Sequence, residues 1–147
     1  MPEKIILLVE DNPADVTLTI RAMKRANIAN ELVVARDGAE ALDYLFGTGQ
    51  YNGRDVNQLP VVVLLDLKLP KVDGIEVLKR IRSNGVTKLL PVVVLTSSKE
   101  QSDVTACYEY NCNSYVRKPV DFNQFAEAVK QLGLYWLVLN EPPKVER

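Results

Sequence analysis

Three carboxylates, a threonine and a lysine stand at the same kind of place in this chain, the end of an apolar run. Glu10 and Asp11 close the run at residues 4–9, Asp66 closes Val61-Val62-Val63-Leu64-Leu65, Thr96 follows Val92-Val93-Val94-Leu95, and Lys118 follows residues 114–117. Three carboxylates brought together repel one another and are costly to ionise unless a cation sits among them. With no histidine in the chain and no cysteine beside these acids, the cation that fits is a hard one bound by oxygen, Mg²⁺ or Mn²⁺ in its place. A lysine opposite the acids would pair them in the absence of a ligand and meet an anion's oxygens in its presence, and a threonine hydroxyl would add a further hydrogen bond. Asp66 by itself reads more readily as a turn residue ending a strand. The polar residues at the other run ends turn the balance toward chemistry.

Convergence of these side chains requires strands that end at one edge. The run into Asp66, entered through Pro60, is continuously apolar and reads as a central parallel strand buried on both faces. Residues 4–9 make a second such strand, 31–35 a third, 92–95 a fourth and 114–117 a fifth. Helical stretches alternate with them. Asn12-Pro13 opens the first helix as cap and first helical residue, with Val16, Ile20 and Met23 as its inward stripe. Asp37-Gly38 leads into a helix facing inward through Ala39, Leu42, Leu45 and Phe46, and Gly74 opens one that turns Val77, Leu78 and Ile81 inward. In that third helix Glu76, Lys79, Arg80 and Arg82 read as the wet face. A fourth helix spans about 101–110. Asp121 caps the last helix, whose Phe122, Phe125, Val129, Leu132, Trp136 and Leu139 fall at spacings of 3, 4, 3, 4 and 3. Residues 47–59 are polar and read as a surface loop. Strand and helix in alternation imply right-handed crossovers and a doubly wound α/β domain, a parallel sheet with helices on both faces. Ligands bind such sheets at the carboxyl edge, where these polar residues stand.

Composition narrows the classes further. The chain has 147 residues, 47% of them apolar and 25% charged, with a net charge of −1. That suits one soluble domain, here residues 1–139 followed by a tail at 140–147, and gives no basic field for nucleic acid. Residues 1–4 carry no hydrophobic leader and no run is long enough to span a membrane, so a cytoplasmic location is expected. Cys107 and Cys112 form no CxxC pair and read as reduced packing residues. Without histidine, neither Ser/His nor Cys/His catalysis is available. Any phosphohistidine must come from another protein.

In its motifs the chain resembles the receiver domain of two-component response regulators along nearly its whole length. The matching residues are Glu10-Asp11, Asp66, Leu69-Pro70, Asp73-Gly74, Thr96, Tyr115 and Lys118-Pro119, in that order. The resemblance implies a flavodoxin-like (βα)5 fold with strand order 2-1-3-4-5. It implies that Asp66 accepts a phosphoryl group from a partner histidine kinase, that Glu10, Asp11, Asp66 and the backbone carbonyl of Lys68 hold Mg²⁺, and that Lys118 and Thr96 meet the phosphoryl oxygens. It also implies that Thr96 and Tyr115 move together as a switch, remodelling the surface of the fourth helix, fifth strand and fifth helix. The loop at 47–59 and the Tyr135-Trp136 end resemble more narrowly the small regulators paired with cyanobacterial and bacterial phytochromes.

Two other classes share parts of this pattern. A phosphatase of the haloacid dehalogenase type also phosphorylates an aspartate at a strand end, but it needs a second acid two residues later, where this chain has Lys68. A flavodoxin-like small-ligand binder would want a glycine- or hydroxyl-rich first loop, and Glu10-Asp11-Asn12-Pro13 puts negative charge there instead. No enzyme activity is expected beyond phosphorylation and dephosphorylation of Asp66 itself. If the last helix continues, Leu134, Tyr135, Leu137 and Val138 are left outside and predict a homodimer interface, continuous with the fourth helix, fifth strand and fifth helix. The alternative is that Gly133 ends the helix and the segment folds back.

Overall fold

The computed structural model describes residues 4–119 and 121–143. Of the expected tail, 144–147 lie outside the described residues, as do 1–3 at the other end. Five strands, β1 (Ile6–Val9), β2 (Leu32–Ala35), β3 (Val62–Leu65), β4 (Val92–Thr96) and β5 (Ser114–Arg117), alternate with five helices, α1 (Pro13–Arg25), α2 (Gly38–Phe46), α3 (Gly74–Ser83), α4 (Gln101–Glu109) and α5 (Phe122–Gly133). The strands form one parallel sheet in the order β2-β1-β3-β4-β5. This is the flavodoxin-like arrangement that the sequence leads one to expect.

Period-2 alternation divides the sheet's side chains between two cores. Leu7, Val9, Val63, Leu65, Val92 and Val94 face α2 and α3, while Ile6, Leu8, Val62, Leu64, Val93 and Leu95 face α1 and α5. Every residue of β1, β3 and β4 is buried, which is why these runs show no polar alternation. Capping residues fix where the helices start. The side chains of Asn12, Asp37, Asp73 and Asp121 accept bonds from Ala14 N at 2.9 Å, Glu40 N at 2.7 Å, Glu76 N at 2.9 Å and Asn123 N at 2.7 Å.

Several expectations need correction. Ile20 is 37% exposed, and Thr19 takes the inward position because its hydroxyl is satisfied by Asp15 O at 2.8 Å. In α2 the buried residues include Ala41 and Tyr44, with Ala39 only half-buried. Arg82 is not on a wet face: its guanidinium donates to the carbonyls of Lys88, Leu90 and Asn111 and to Asn113 Oδ1, tying α3 to the segments on both sides of β4. The loop at 47–59 lies at the surface, as expected, but it is anchored at two residues. Tyr51, in a 3-10 turn at Gly49–Tyr51, meets Tyr44 edge-on at 5.1 Å and donates to Glu40, and Arg54 lies 4.0 Å over the Tyr44 ring.

Gly133 does not end the helical path. A π-helical turn, Leu134–Leu139, continues from it. A Cβ at Gly133 would lie 2.4 Å from Ile28 Cδ1, so the glycine permits close approach of α5 to the corner after α1. The wider turn shifts the register. Trp136 is buried as expected, but Leu139 is 64% exposed and Leu137 turns inward against the α1–α5 core.

Candidate phosphoacceptor and metal site

Pairing register sets the site. Val9 is level with Leu65, so Glu10 and Asp66 emerge side by side from neighbouring strands. On the other flank Thr96 ends β4, and its carbonyl accepts from Lys118 N at 2.8 Å, placing the lysine one step past β5. Close approach of α3 locks Asp66 in place: Gly74 sits where a Cβ would come within 2.3 Å of the Asp66 carbonyl oxygen. The amides of Leu67 and Lys68 donate to Asp66 Oδ1 at 2.7 and 3.4 Å.

The structure brings Glu10, Asp11, Asp66, Thr96 and Lys118 to one edge. Lys118 Nζ bonds Glu10 Oε1, lies 3.0 Å from Asp66 Oδ2 and 3.0 Å from Asp15 Oδ2. Asp15 is the member that sequence reasoning missed. Its signal is an acid in the first turn of the helix that follows Glu10-Asp11 directly, close to the same sheet edge. Burial alone would hold the Lys118 ammonium down, but its bonds to Glu10 and Asp15 and the charge of Asp66 outweigh burial and push its pKa up. Burial likewise works against ionisation of Asp66, and the charge and hydrogen bond of Lys118, aided by Thr96, hold its carboxyl below the usual range. Glu10 goes the other way, pushed up to about 7 by burial despite its bond to Lys118. Asp66 is therefore a buried carboxylate whose ionised form is favoured by Lys118.

Glu10, Asp11 and Asp66 each offer a carboxylate oxygen, all within 4.8 Å of one another. Hard oxygen donors alone, two of them on buried residues, fit Mg²⁺ or Mn²⁺ and not a soft metal. A bound divalent ion would supply charge neutralisation for an anion brought to Asp66. Asp11 and the exposed Lys68 open onto a cleft of about 670 Å³ that also touches Leu67, Asp73, Glu76 and Asp103. Tyr115, the other expected switch residue, is set back from the acids. Its hydroxyl donates to the Ser98 carbonyl at 3.2 Å, in the loop after β4.

The model of the response regulator receiver domain matches residues 6–130. This chain belongs to that family. Receivers accept a phosphoryl group from a histidine kinase on an aspartate at this sheet edge and signal through a changed surface. Among the curated relatives, the probable methanogenesis regulatory protein FilR2 of Methanothrix harundinacea is 44% identical over 95% of this chain and 87% of its own length. The response regulator Rcp1 of Synechocystis is 41% identical over 92% of this chain and 90% of its own. The crystal structure of Mn²⁺-bound Rcp1 has a TM-score of 0.87 over 97% of this chain and 100% of that one, at 39% identity. The phosphorylated cyanobacterial phytochrome response regulator RcpA has a TM-score of 0.89 at 38% identity, again over 97% and 100%. A metal-bound and a phosphorylated receiver thus share this fold, and the oxygen cluster here suits the same kind of cation.

Proposed function

We propose that Asp66 is the phosphoacceptor of this receiver and that residues 1–139 act as a phosphorylation-dependent switch, with 140–147 as a tail. The observation that carries the reading is the buried Lys118 on Glu10, Asp15 and Asp66, beside the Glu10-Asp11-Asp66 oxygen cluster. An Asp66 carboxylate oxygen forms the new O–P bond as the donor's bond to phosphorus breaks. The donor is a kinase phosphohistidine, whose imidazole nitrogen leaves, or acetyl phosphate, which leaves as acetate. Glu10, Asp11, Asp66 and the Lys68 carbonyl would hold Mg²⁺, which would neutralise charge there, while Lys118 and Thr96 take the phosphoryl oxygens as charge develops on them. Thr96 and Tyr115 carry the change to α4, β5 and α5, and hydrolysis of the acyl phosphate resets the protein.

Similarity to RcpA supports a phytochrome-type histidine kinase as the donor. Pairing of two copies is supported by the exposed Leu134, Tyr135, Val138 and Leu139 on the last turn. The downstream partner is then a protein reading that face. No described helix is long and apolar enough to cross a membrane, which agrees with action in the cytoplasm, and the net charge of −1 agrees with an output other than nucleic-acid binding.

Incubation with acetyl phosphate and Mg²⁺ tests the central reading. One acid-stable, base-labile phosphoryl group is expected on Asp66 by mass spectrometry, absent after chelation or in Asp66→Asn. A label on any other residue would falsify the assignment.

A further inference from the structure

The loop between β4 and α4 is held by one buried side chain. Ser98, 7% exposed, donates through Oγ to Asp103 Oδ2 at 2.6 Å and accepts from Glu100 N at 3.3 Å. Its amide donates to Thr96 Oγ1 at 3.3 Å. α4 has little else to fix it: Cys107 is its one buried residue, and its cap position, Glu100, makes no side-chain capping bond. Asp103, in the first turn of α4, therefore reaches back along the chain and does through Ser98 what a cap would do from the preceding residue.

The direction of the Ser98–Thr96 bond has a chemical consequence. A hydroxyl has one proton and two lone pairs. With a lone pair of Thr96 Oγ1 occupied by the Ser98 amide, the hydroxyl proton is left free for an acceptor, and Asp66, just past the end of the neighbouring strand β3, is held low in part by Thr96. Thr96 is fully buried, so water does not compete for that proton. The link is positional: the Asp103 to Ser98 Oγ bond fixes the loop that brings the Ser98 amide to Thr96 Oγ1, and only the Thr96 hydroxyl would touch reacting atoms.

We infer that Asp103 and Ser98 are positioning residues for phosphoryl transfer, orienting the Thr96 hydroxyl as a donor to the phosphoryl group on Asp66. The inference rests on the assignment of Asp66 as acceptor. It adds two residues outside the motif and gives the first turn of α4 a part in the chemistry. Asp103 also borders the cleft that opens onto Asp11 and Lys68, so whatever occupies that cleft is within reach of this link.

Beryllofluoride, which completes a phosphoryl-like group on the aspartate, and Mg²⁺ alone are titrated separately into the full chain. Ser98→Ala and Asp103→Ala are expected to weaken beryllofluoride binding about three- to tenfold, the worth of one hydrogen bond, with Mg²⁺ affinity unchanged because no metal-holding acid is altered. Asp103→Asn, which keeps an acceptor oxygen, should retain most of the affinity. In a Thr96→Val background, Ser98→Ala should cost nothing further, since the hydroxyl it orients is gone. Wild-type affinity in Ser98→Ala and Asp103→Ala, a parallel loss of Mg²⁺ affinity, or the same loss with and without Thr96 would overturn the positioning role. A wild type that binds Mg²⁺ but neither beryllofluoride nor a phosphoryl group would instead remove the Asp66 assignment itself.

Discussion

The Lys118 ammonium and the Asp66 carboxylate stand 3.0 Å apart, with side-chain exposures of 10% and 9%. A divalent ion held by Glu10, Asp11 and Asp66 must share those acids with this ammonium. Lysine and metal repel at such range, and the protein interior screens them weakly. Lys118→Met should therefore bind Mg²⁺ more tightly than wild type, by about tenfold, while losing most of its phosphorylation by acetyl phosphate. Calorimetric titration with Mg²⁺ checks the first part; equal or weaker affinity would show that lysine and metal do not compete.

Glu10 makes the metal-free protein sensitive to pH. Its carboxyl moves from an ordinary value of 4.5 to about 7 on folding. Between those values the folded chain keeps a proton that the unfolded chain has lost, so stability is fully present below 4.5 and declines as pH rises to 7, by about 3 kcal/mol. Asp66, held low, is ionised across that window and adds no slope of its own. Urea midpoints in EDTA should fall from pH 5 to pH 8, Mg²⁺ should recover the loss at pH 8, and Glu10→Gln should flatten the profile. A wild-type profile already flat in EDTA would contradict the raised carboxyl of Glu10.

Gly74→Ala places a methyl group against the backbone of Asp66 and Leu67, at 2.3 Å from one and 2.6 Å from the other. Backbone cannot rotate away as a side chain can. A loss of about 1 to 3 kcal/mol is expected from overpacking, with slower phosphorylation because the acceptor strand end must move. Thermal melts together with initial labelling rates measure both. Unchanged rates would mean that α3 yields and the acceptor stays in place.

Arg82 offers a test of how α3 is held. Arg82→Ala removes donors to three carbonyls and to Asn113 Oδ1, and leaves the partly buried Leu90 carbonyl without that donor. The expected loss is about 1 to 2 kcal/mol. Arg82→Lys should recover less than half of it, since an ammonium cannot span the same fork of acceptors. Full recovery by lysine in denaturant unfolding would reduce Arg82 to a simple charge.

Sedimentation decides the pairing of copies. Tyr135, Leu134, Val138 and Leu139 are 49%, 53%, 70% and 64% exposed. Wild type is expected to dimerise at tens of micromolar, about −6 to −7 kcal/mol, more strongly with beryllofluoride, and Tyr135→Ala and Leu139→Ala to be monomeric. A monomeric wild type in both states would leave that face to a different protein.

Most of the sheet was legible because strands buried on both faces write themselves as unbroken apolar runs, and each such run here stops at a residue that cannot be buried without a partner. Asp15 was not, because it lies on a helix whose face toward Lys118 depends on how the helix packs. Arg82 looked like a solvent residue because its partners lie in irregular segments on both sides of β4, two of them about thirty residues away, where no periodicity reports the contact. Thr19 displaced Ile20 through a hydroxyl bond that hydrophobic spacing does not register. Leu137 and Leu139 exchanged places because the π-helical turn after Gly133 has a longer period than the α-helix.

That turn also has a location. α5 runs against the strand direction, starting at Asp121 beside the acidic edge and finishing under the opposite rim, where Lys4 Nζ donates to Leu137 O at 2.7 Å and Ile28 seats Gly133. Its exposed apolar residues and Asp66 consequently occupy opposite poles of the molecule. A copy seated on one pole leaves the other open, so a kinase could load either member of a pair without first prising the pair apart.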